Sequence, residues 1–199
     1  MGSIKKELLS GVFYTAIAKY SGILISLIIT GVLARLISPD KFGIVAVVTV
    51  ITFFFSIFSD LGIGAAIIQN KELQQKDLNQ LFSFTVWSGC ILTLLFFLCS
   101  WPISFFYKEP SMKAITQLLA INLFFASANI VPNALLYKAK AFKFLAWRSL
   151  GVQVSGGIIA ILAALGGAGL YTLIINPILS SILLFIISYQ KYPQTLEMT

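Results

Sequence analysis

The sequence contains no histidine and only two cysteines. Histidine is the commonest metal ligand and the side chain best suited to acid–base catalysis near neutral pH. Cys90 and Cys99 fall in one predicted helix, where their separation gives about 13 Å of axial rise and nearly opposite faces. That geometry excludes a disulfide between them, and we expect no zinc or thiol chemistry and no metal site.

Motifs for covalent chemistry are missing as well. The sequence has no glycine-rich loop of the kind that cradles phosphates, which excludes an ATP-driven pump within these residues. It also shows no pair of acids, and no nucleophile beside a base, at a spacing that would bring them together. We therefore predict that the chain is not an enzyme and holds no cofactor, although a coupling proton or sodium ion stays open.

Charge is scarce. Charged residues make up 11% of the chain, against roughly 25% in soluble domains. Hydrophobic residues make up 58% and the mean hydropathy is +0.94, which predicts an integral membrane protein. The 14 basic residues exceed the 7 acidic ones, and in this class the excess indicates loops that meet anionic lipid headgroups. We predict membrane lipids as partners and no nucleic acid.

What the chain does have is long apolar runs. A spanning helix needs about 20 mainly apolar residues, and six segments meet that length. We predict an all-α, polytopic bundle of six transmembrane helices over residues 1–190, with a polar tail over 191–199, and we expect the first run to be a retained span rather than a signal peptide. The spans run over about Gly11–Leu36, Phe42–Ile68, Leu81–Tyr107, Ala114–Tyr137, Ser149–Leu165 and Leu170–Tyr189.

The basic residues also predict the orientation. With the N-terminus in the cytoplasm, nine Lys and Arg lie on the inside, four on the outside and Lys19 within a span, which accounts for all 14. This bias favours cytoplasmic N- and C-termini. The stretch from Lys138 to Arg148 decides it, because it carries four basic residues and no acid. We interpret it as a topology determinant and interfacial anchor, with a specific lipid-phosphate contact as the alternative.

Lys19 and Asp60 are charges inside apolar runs, where an isolated charge costs roughly 2.5–3.5 kcal/mol at the bilayer centre. Both lie roughly 13 Å from the cytoplasmic end of their spans, so they are candidates for contact across an antiparallel helix pair. One interpretation is a structural ion pair, with snorkelling of Lys19 as a variant. The other is a cavity in which Lys19 faces an anionic substrate or Asp60 accepts a coupling ion. We expect Gly62 and Gly64, which follow Asp60, to serve packing rather than a hinge.

Three amides, Asn122, Asn129 and Asn133, share one face of the fourth predicted helix, and Pro132 predicts a kink there. The amides either bond to neighbouring helices or line a polar cavity suited to sugar hydroxyls. Three isolated amides are predicted to form mainly interhelical hydrogen bonds: Gln117, Gln153 and Asn176. A row of small residues in the fifth span predicts close helix packing: Gly156, Ala160, Ala164 and Ala168.

Three stretches resemble a known family, the bacterial polysaccharide flippases. Residues 35–43 (R-L-I-S-P-D-K-F-G) resemble its R-L-L-G-P-E-D-Y-G stretch. Residues 58–69 (F-S-D-L-G-I-G-A-A-I-I-Q) resemble its F-x-D-L-G-L-G-A-A-L-I-Q signature. Residues 133–136 and 142–144 (N-A-L-L and F-K-F) are similar to its P-x-A-L-L-x-R…F-R element, with Lys in place of Arg. The resemblance extends over about residues 6–189.

That resemblance, to the oligosaccharide flippase group of the multidrug/oligosaccharidyl-lipid/polysaccharide exporter superfamily, implies one lobe of a two-lobe transporter. It implies translocation of undecaprenyl-diphosphate-linked oligosaccharide across the bacterial inner membrane for O-antigen, capsule, exopolysaccharide or teichuronic acid assembly. Lys19 and Arg35 would then meet the diphosphate or acidic sugars, although Arg35 equally suits an interfacial anchor. The face of Asn122, Asn129 and Asn133 would meet sugar hydroxyls, and Asp60 would pair with a cation or lock the first two helices.

The family's members are about twice as long, so the chain resembles their N-terminal half. Since alternating access needs one repeat to move against another, we expect either a truncated transporter or a lobe that pairs with a second copy or another polysaccharide-assembly protein. The tail over 191–199 is then a cytoplasmic segment or the start of an interlobe linker. Two alternatives remain: a cation-coupled multidrug exporter of the same superfamily, and a non-transporting scaffold in a polysaccharide-assembly complex.

Overall fold

A computed structural model describes residues 2–197, with side chains from Gly11 onward except that of Val12. Its helices are α1 (Gly2–Leu36), α2 (Pro39–Asp60), α3 (Ile63–Gln69), α4 (Gln75–Tyr107), α5 (Ser111–Ala128), α6 (Ile130–Lys138), α7 (Phe142–Leu165) and α8 (Thr172–Lys191), with a 3₁₀ turn at Gly169–Tyr171 before α8. Within this part of the chain, six helical segments are long and apolar enough to cross a membrane. The predicted all-α, multi-pass membrane bundle is confirmed.

Two spans begin earlier than hydropathy predicts. α4 begins at Gln75 rather than Leu81, and Asp77 Oδ2 accepts a hydrogen bond from Gln74 N at 2.9 Å where the helix starts. α7 begins at Phe142 rather than Ser149. Hydropathy marks only the apolar part of a helix, whereas the backbone hydrogen bonds continue into its polar end. As a consequence, Arg148 is not a loop residue but lies two turns inside α7.

The second predicted span is not one helix. α2 ends at Asp60, and the next two residues adopt left-handed backbone angles, with φ of 39° at Leu61 and 81° at Gly62. Asp60 Oδ1 accepts a hydrogen bond from Gly64 N at 3.2 Å as α3 begins. The packing role expected for Gly62 is wrong, since a Cβ at this position would meet no atom within 4 Å. Gly62 instead provides the positive φ that the turn requires.

The fourth span also breaks, at Asn129. α5 ends at Ala128 and α6 begins at Ile130, with Pro132 in its first turn. Proline has no N–H for the carbonyl four residues earlier, so it weakens the helix at this point. The two parts stay connected, because Asn129 N donates to Phe125 O at 3.0 Å and Asn133 N donates to Asn129 O at 2.9 Å. The helix is interrupted at Asn129, three residues before Pro132; a kink at Pro132 stays a prediction.

The helices pack side by side in a row, with α1 at one end and with α2 and α4 on α5 at the other. α1 packs on α7, α7 on α8, α8 on α5, and α5 on both α2 and α4. The α1–α7 contact is close because a side chain at Gly157 would collide with Ile29, and the α7–α8 contact is close because one at Gly156 would collide with Asn176 Oδ1. Gly156 and Ala160 are buried, as the predicted row of small residues requires. Beyond the short turn that joins them, α1 and α2 diverge and leave a cleft above α8.

The residues after α8 run back along α4. Gln194 is buried, and its side-chain Oε1 accepts a hydrogen bond from Gln75 Nε2 at 3.0 Å. Asn79 Nδ2 donates to Glu197 Oε1 at 3.1 Å, and Glu197 N donates to Ser83 Oγ at 2.8 Å. The described part of the tail, residues 192–197, is therefore held against the first turns of α4.

Candidate functional site

One face of the bundle carries a groove made of three adjoining hollows. The first, about 450 Å³, lies between α1 and α7. The second, about 500 Å³, lies between α1 and α2 above α8 and shares Ser26 with the first. The third, about 180 Å³, lies between α2 and α5 and shares Thr49 and Pro177 with the second. We refer to these three hollows together as the groove.

The groove is lined with polar side chains along its length. A backbone or side-chain polar group that faces hydrocarbon without a partner is costly, so polar stripes in membrane helices face protein or a water-filled cavity. Thr49, Thr52 and Ser56 satisfy their hydroxyls on carbonyls of their own helix. The charged and amide side chains, Lys19, Arg148, Asn122 and Gln153, are the ones that favour a hydrated or protein-covered surface. The polar members of the lining are Thr15, Lys19, Ser26, Thr30, Thr49, Thr52, Ser56, Asn122, Tyr137, Arg148, Ser149, Gln153, Thr172 and Asn176.

Arg148 lies at one end of the groove and is held by two other helices. Its Nη2 donates to Asn133 Oδ1 of α6 at 2.8 Å, and its Nη1 donates to Ser188 Oγ of α8. Its Nε is buried and has no hydrogen-bond partner. An unsatisfied buried donor costs roughly 1–3 kcal/mol, more on a charged group. The guanidinium is thus fixed in place by two neutral groups, and its Nε is enclosed without a partner.

Lys19 lines the same hollow as Arg148. Its side chain is exposed, and no carboxylate in the described part of the chain pairs with it. Among the residues whose side chains are described, the hollow is lined by these two cations and by no acidic residue. Two like charges in a partly enclosed space raise the local positive potential and attract anions. The end of the groove between α1 and α7 is therefore an electropositive pocket suited to a phosphate or carboxylate group.

Lys19 and Asp60 do not pair. α2 packs on α5 rather than on α1, and the Asp60 carboxylate accepts a hydrogen bond from Gly64 N at the start of α3. Asp60 is also absent from the residues that line the groove. The ion pair expected from their matching depth is wrong, because depth along the membrane normal does not specify which helices are neighbours.

The three predicted amides occupy three different settings. Asn122 lines the third hollow of the groove. Asn133 accepts a hydrogen bond from Arg148. Asn129 lies at the break between α5 and α6, where its Oδ1 is buried without a hydrogen-bond partner. The break at Asn129 interrupts the helical face on which the prediction placed them, so they do not form one surface.

Arg35 lies outside the groove. It lines a separate hollow of about 520 Å³ on the opposite side of α1, beside Ile161 and Leu165 of α7. Its other neighbours there are all apolar or glycine: Leu27, Ile28, Gly31, Val32 and Leu36. An exposed cation at the end of an apolar helix face is typical of an interfacial anchor. This is the alternative that the sequence left open for Arg35.

Sequence reasoning did not select Arg148 as a site residue, because it placed Arg148 in a loop. The sequence does carry a signal for this position, because Arg148 comes directly before an apolar run. If the helix begins several residues before that run, as α7 does, a residue at this position lies within the helix and can face the bundle. Gln153 forms the predicted interhelical bond, as its Nε2 donates to Gly22 O at 2.8 Å, and it lines the groove as well. Asn176 Oδ1 accepts a hydrogen bond within its own helix, from Ser180 Oγ at 3.2 Å.

Comparison with known proteins points to one family. The family model described as polysaccharide biosynthesis protein matches residues 32–199. The lipopolysaccharide biosynthesis protein WzxC of Escherichia coli (strain K12) is 27% identical over 158 residues, which are 79% of this chain and 31% of that protein. The teichuronic acid biosynthesis protein TuaB of Bacillus subtilis (strain 168) is 28% identical over 121 residues, which are 61% of this chain and 25% of that protein.

A third relative is the succinoglycan biosynthesis transport protein ExoT of Rhizobium meliloti (strain 1021), which is 22% identical over 151 residues, or 76% of this chain and 31% of that protein. The chain thus spans less than a third of the length of these curated relatives. No solved structure matches the chain.

Proposed function

Because this chain belongs to the polysaccharide biosynthesis protein family, we propose that its groove is one wall of a path along which a lipid-linked oligosaccharide crosses the bacterial inner membrane. The observation that carries the proposal is a groove in which polar side chains recur among apolar ones, with two cations at one end. The relatives named for lipopolysaccharide and teichuronic acid biosynthesis and for succinoglycan transport support a role in surface polysaccharide assembly.

The two parts of the groove suit the two parts of such a substrate. Lys19 and Arg148 would meet the diphosphate, for which a guanidinium offers paired, charge-assisted donors. The hydroxyls and amides farther along, among them Thr49 and Asn122, would exchange hydrogen bonds with sugar hydroxyls. The polyprenyl chain would stay in the surrounding lipid. No covalent bond forms or breaks in this process, so the proposed role is transport and not catalysis.

The orientation follows from charge. Lys138, Lys140, Lys143 and Lys191 lie at the end of the bundle that also holds Arg148 and the start of α7. Under the positive-inside rule we propose that this end faces the cytoplasm, together with both termini. The electropositive pocket would then be nearest the cytoplasmic leaflet, and the opposite end of the groove would open toward the outer side.

A complete path requires a second wall. Lys19, Arg148, Asn122 and Gln153 line the groove, and charged or amide side chains are unsuited to lipid. In transporters built from repeats, the site lies between two repeats that move against each other. We propose that the second wall is a further lobe, a second copy of this chain or another polysaccharide-assembly protein.

The alternative of a cation-coupled drug exporter has less support. Asp60, the acid that the sequence offers for ion coupling, holds the start of α3 instead of lining the groove. A coupling proton or sodium ion is therefore not assigned to a residue. The scaffold alternative differs from transport in a measurable way, because a scaffold would not need the cations of the pocket.

Complementation combined with binding tests the proposal. The chain, expressed in a strain that lacks its lipid-linked oligosaccharide flippase, is expected to restore surface polysaccharide when its second wall is supplied. In nanodiscs, the purified chain is expected to bind undecaprenyl-diphosphate oligosaccharide at least about tenfold more tightly than the same glycan on an uncharged polyprenol. Equal affinity for the two lipids, or restoration by a variant without both cations, would refute the proposed path.

A further inference from the structure

Two parallel spans of the bundle break at the same level. α2 ends at Asp60 and α5 ends at Ala128. Just before the breaks, the hydroxyls of Ser59 and Ser127 form a hydrogen bond at 3.0 Å. Just after them, a Cβ on Gly64 would lie 3.9 Å from Ile130 Cγ2. α3 then packs on α6 as α2 packs on α5, so the pairing continues beyond the level of the breaks.

Different hydrophobic cores lie on the two sides of this level. The α2 and α5 side is buried in one cluster, which includes Val48, Phe96, Ile115, Leu119, Leu123 and Ile174. The α3 and α6 side is buried in a second cluster, made of Ile67, Leu78, Phe82, Val131, Ala134 and Leu135. Small or hydroxyl-bearing residues lie between the two clusters, namely the buried Ser59, Gly89 and Ser127.

We propose that α3 and α6 form a unit that moves as one body about these two breaks. Each break is weakened by its own chemistry: Gly62 and Leu61 have left-handed backbone angles, and Asn129 holds a buried, unpaired Oδ1 close to Pro132. The far ends of the two helices are joined, since Lys138 Nζ donates to Asn70 O at 2.8 Å. The pair is thus joined at its outer end, and at the breaks each helix departs from regular geometry while the chain stays continuous, which is the arrangement of a hinge.

The unit is connected to the pocket through Asn133. This α6 residue holds Nη2 of Arg148 at 2.8 Å, whereas Nε of Arg148 is free of partners. An anion that binds a guanidinium side-on uses Nε and Nη2 together. Such an anion would compete with Asn133 for Nη2 and release α6 from α7. This coupling of anion binding to movement rests on the proposed function, but the hinge does not.

Hydrogen exchange of the purified chain in nanodiscs tests the hinge without any transport assay. Amides of residues 63–69 and 130–138 are expected to exchange at a common rate, at least about tenfold faster than those of 39–60 and 111–128, because local opening exposes a weakly connected unit first. A double variant, Asn129→Ala with Pro132→Ala, restores a regular helix across one break and should slow exchange in 130–138 by about tenfold. Pro102→Ala in the exposed, outer part of α4 is the matched control and should change neither segment.

Inorganic pyrophosphate is the probe for the coupling. It should speed exchange in 130–138 of the native chain and have no effect in Arg148→Gln. Protection of 63–69 and 130–138 equal to that of α2 and α5, or separate rates for the two segments, would overturn the hinge. Unequal protection with no response to pyrophosphate would overturn the coupling and leave the hinge in place. Failure of the chain to restore surface polysaccharide would bear only on the proposed function.

Discussion

Arg148 Nη2 and Asn133 Oδ1 form a 2.8 Å hydrogen bond that joins α7 to α6 at the electropositive end of the groove. Ser188 of α8 accepts a second bond from the same guanidinium. One side chain thus connects three helices and at the same time lines the pocket that Lys19 shares. The half-buried cation is satisfied on two of its nitrogens by neutral groups, so its positive charge is not cancelled within the described chain.

Arg148 variants should separate charge from geometry. We expect Arg148→Gln to weaken binding of undecaprenyl-diphosphate oligosaccharide by at least about tenfold, since it removes a charge and a paired donor. Arg148→Lys retains the charge but loses the planar fork, so we expect an intermediate loss. Lys143→Gln is the matched control, because Lys143 lies on the same helix, is exposed and does not line the groove. Lipid binding measured in nanodiscs checks this, and equal losses at Arg148 and Lys143 would contradict it.

Lys19→Ala should lower ligand binding without lowering stability. Lys19 is exposed and pairs with no described carboxylate, so its removal breaks no internal contact, and the melting temperature should stay within about 2 °C of the native value. Binding of the diphosphate lipid should fall by several-fold. Because Asp60 interacts with Gly64 instead, the exchange Lys19→Asp with Asp60→Lys should not restore binding. Recovery of both stability and binding in that double variant would support the ion pair that the structure does not contain.

Much of the fold could be predicted from the sequence because lipid imposes one strong requirement. Each span must be long and apolar, and the kink predicted at Pro132 follows from a missing N–H whatever the surroundings. The break at Gly62 was harder, since a glycine in a helix pattern is consistent with close packing as well as with a positive φ. Only the left-handed angles at Leu61 and Gly62 distinguish the two.

The site was less predictable than the fold. Lys19 could be found because a charge in an apolar run is conspicuous, but its neighbours depend on which helix packs on α1, and that is α7 rather than α2. Arg148 was missed because hydropathy starts its helix seven residues late. Asn122, Asn129 and Asn133 share a face only on an unbroken helix. The interruption at Asn129 separates these three amides, and Pro132 had indicated an irregularity in the same part of the span.

Asn79→Ala should release the segment that follows α8. The Asn79 side chain donates to Glu197 Oε1 at 3.1 Å and accepts from Thr195 N at 3.3 Å. Without these bonds, residues 192–197 should become several-fold more sensitive to protease, because cleavage follows local opening. Limited proteolysis with mass spectrometry measures this, and Asn70→Ala is the control, because the Asn70 side chain accepts a hydrogen bond from Glu72 N rather than from the segment. Unchanged cleavage within 192–197 would show that the contacts to α4 do not hold the segment.

Two glycines of α7 provide the sharpest test of helix packing. A Cβ at Gly156 would collide with Asn176 Oδ1 of α8, whereas one at Gly151, five residues earlier, would meet nothing within 4 Å. Gly156→Ala should therefore lower the free energy of unfolding by about 1–3 kcal/mol through overpacking. Gly151→Ala should raise it by up to about 1 kcal/mol, because alanine is the better helix former. Reversible unfolding in mixed micelles measures both changes. If the two variants were equally stable, α7 and α8 would not be in contact at Gly156, and the position of Asn176 in the groove would have to be revised.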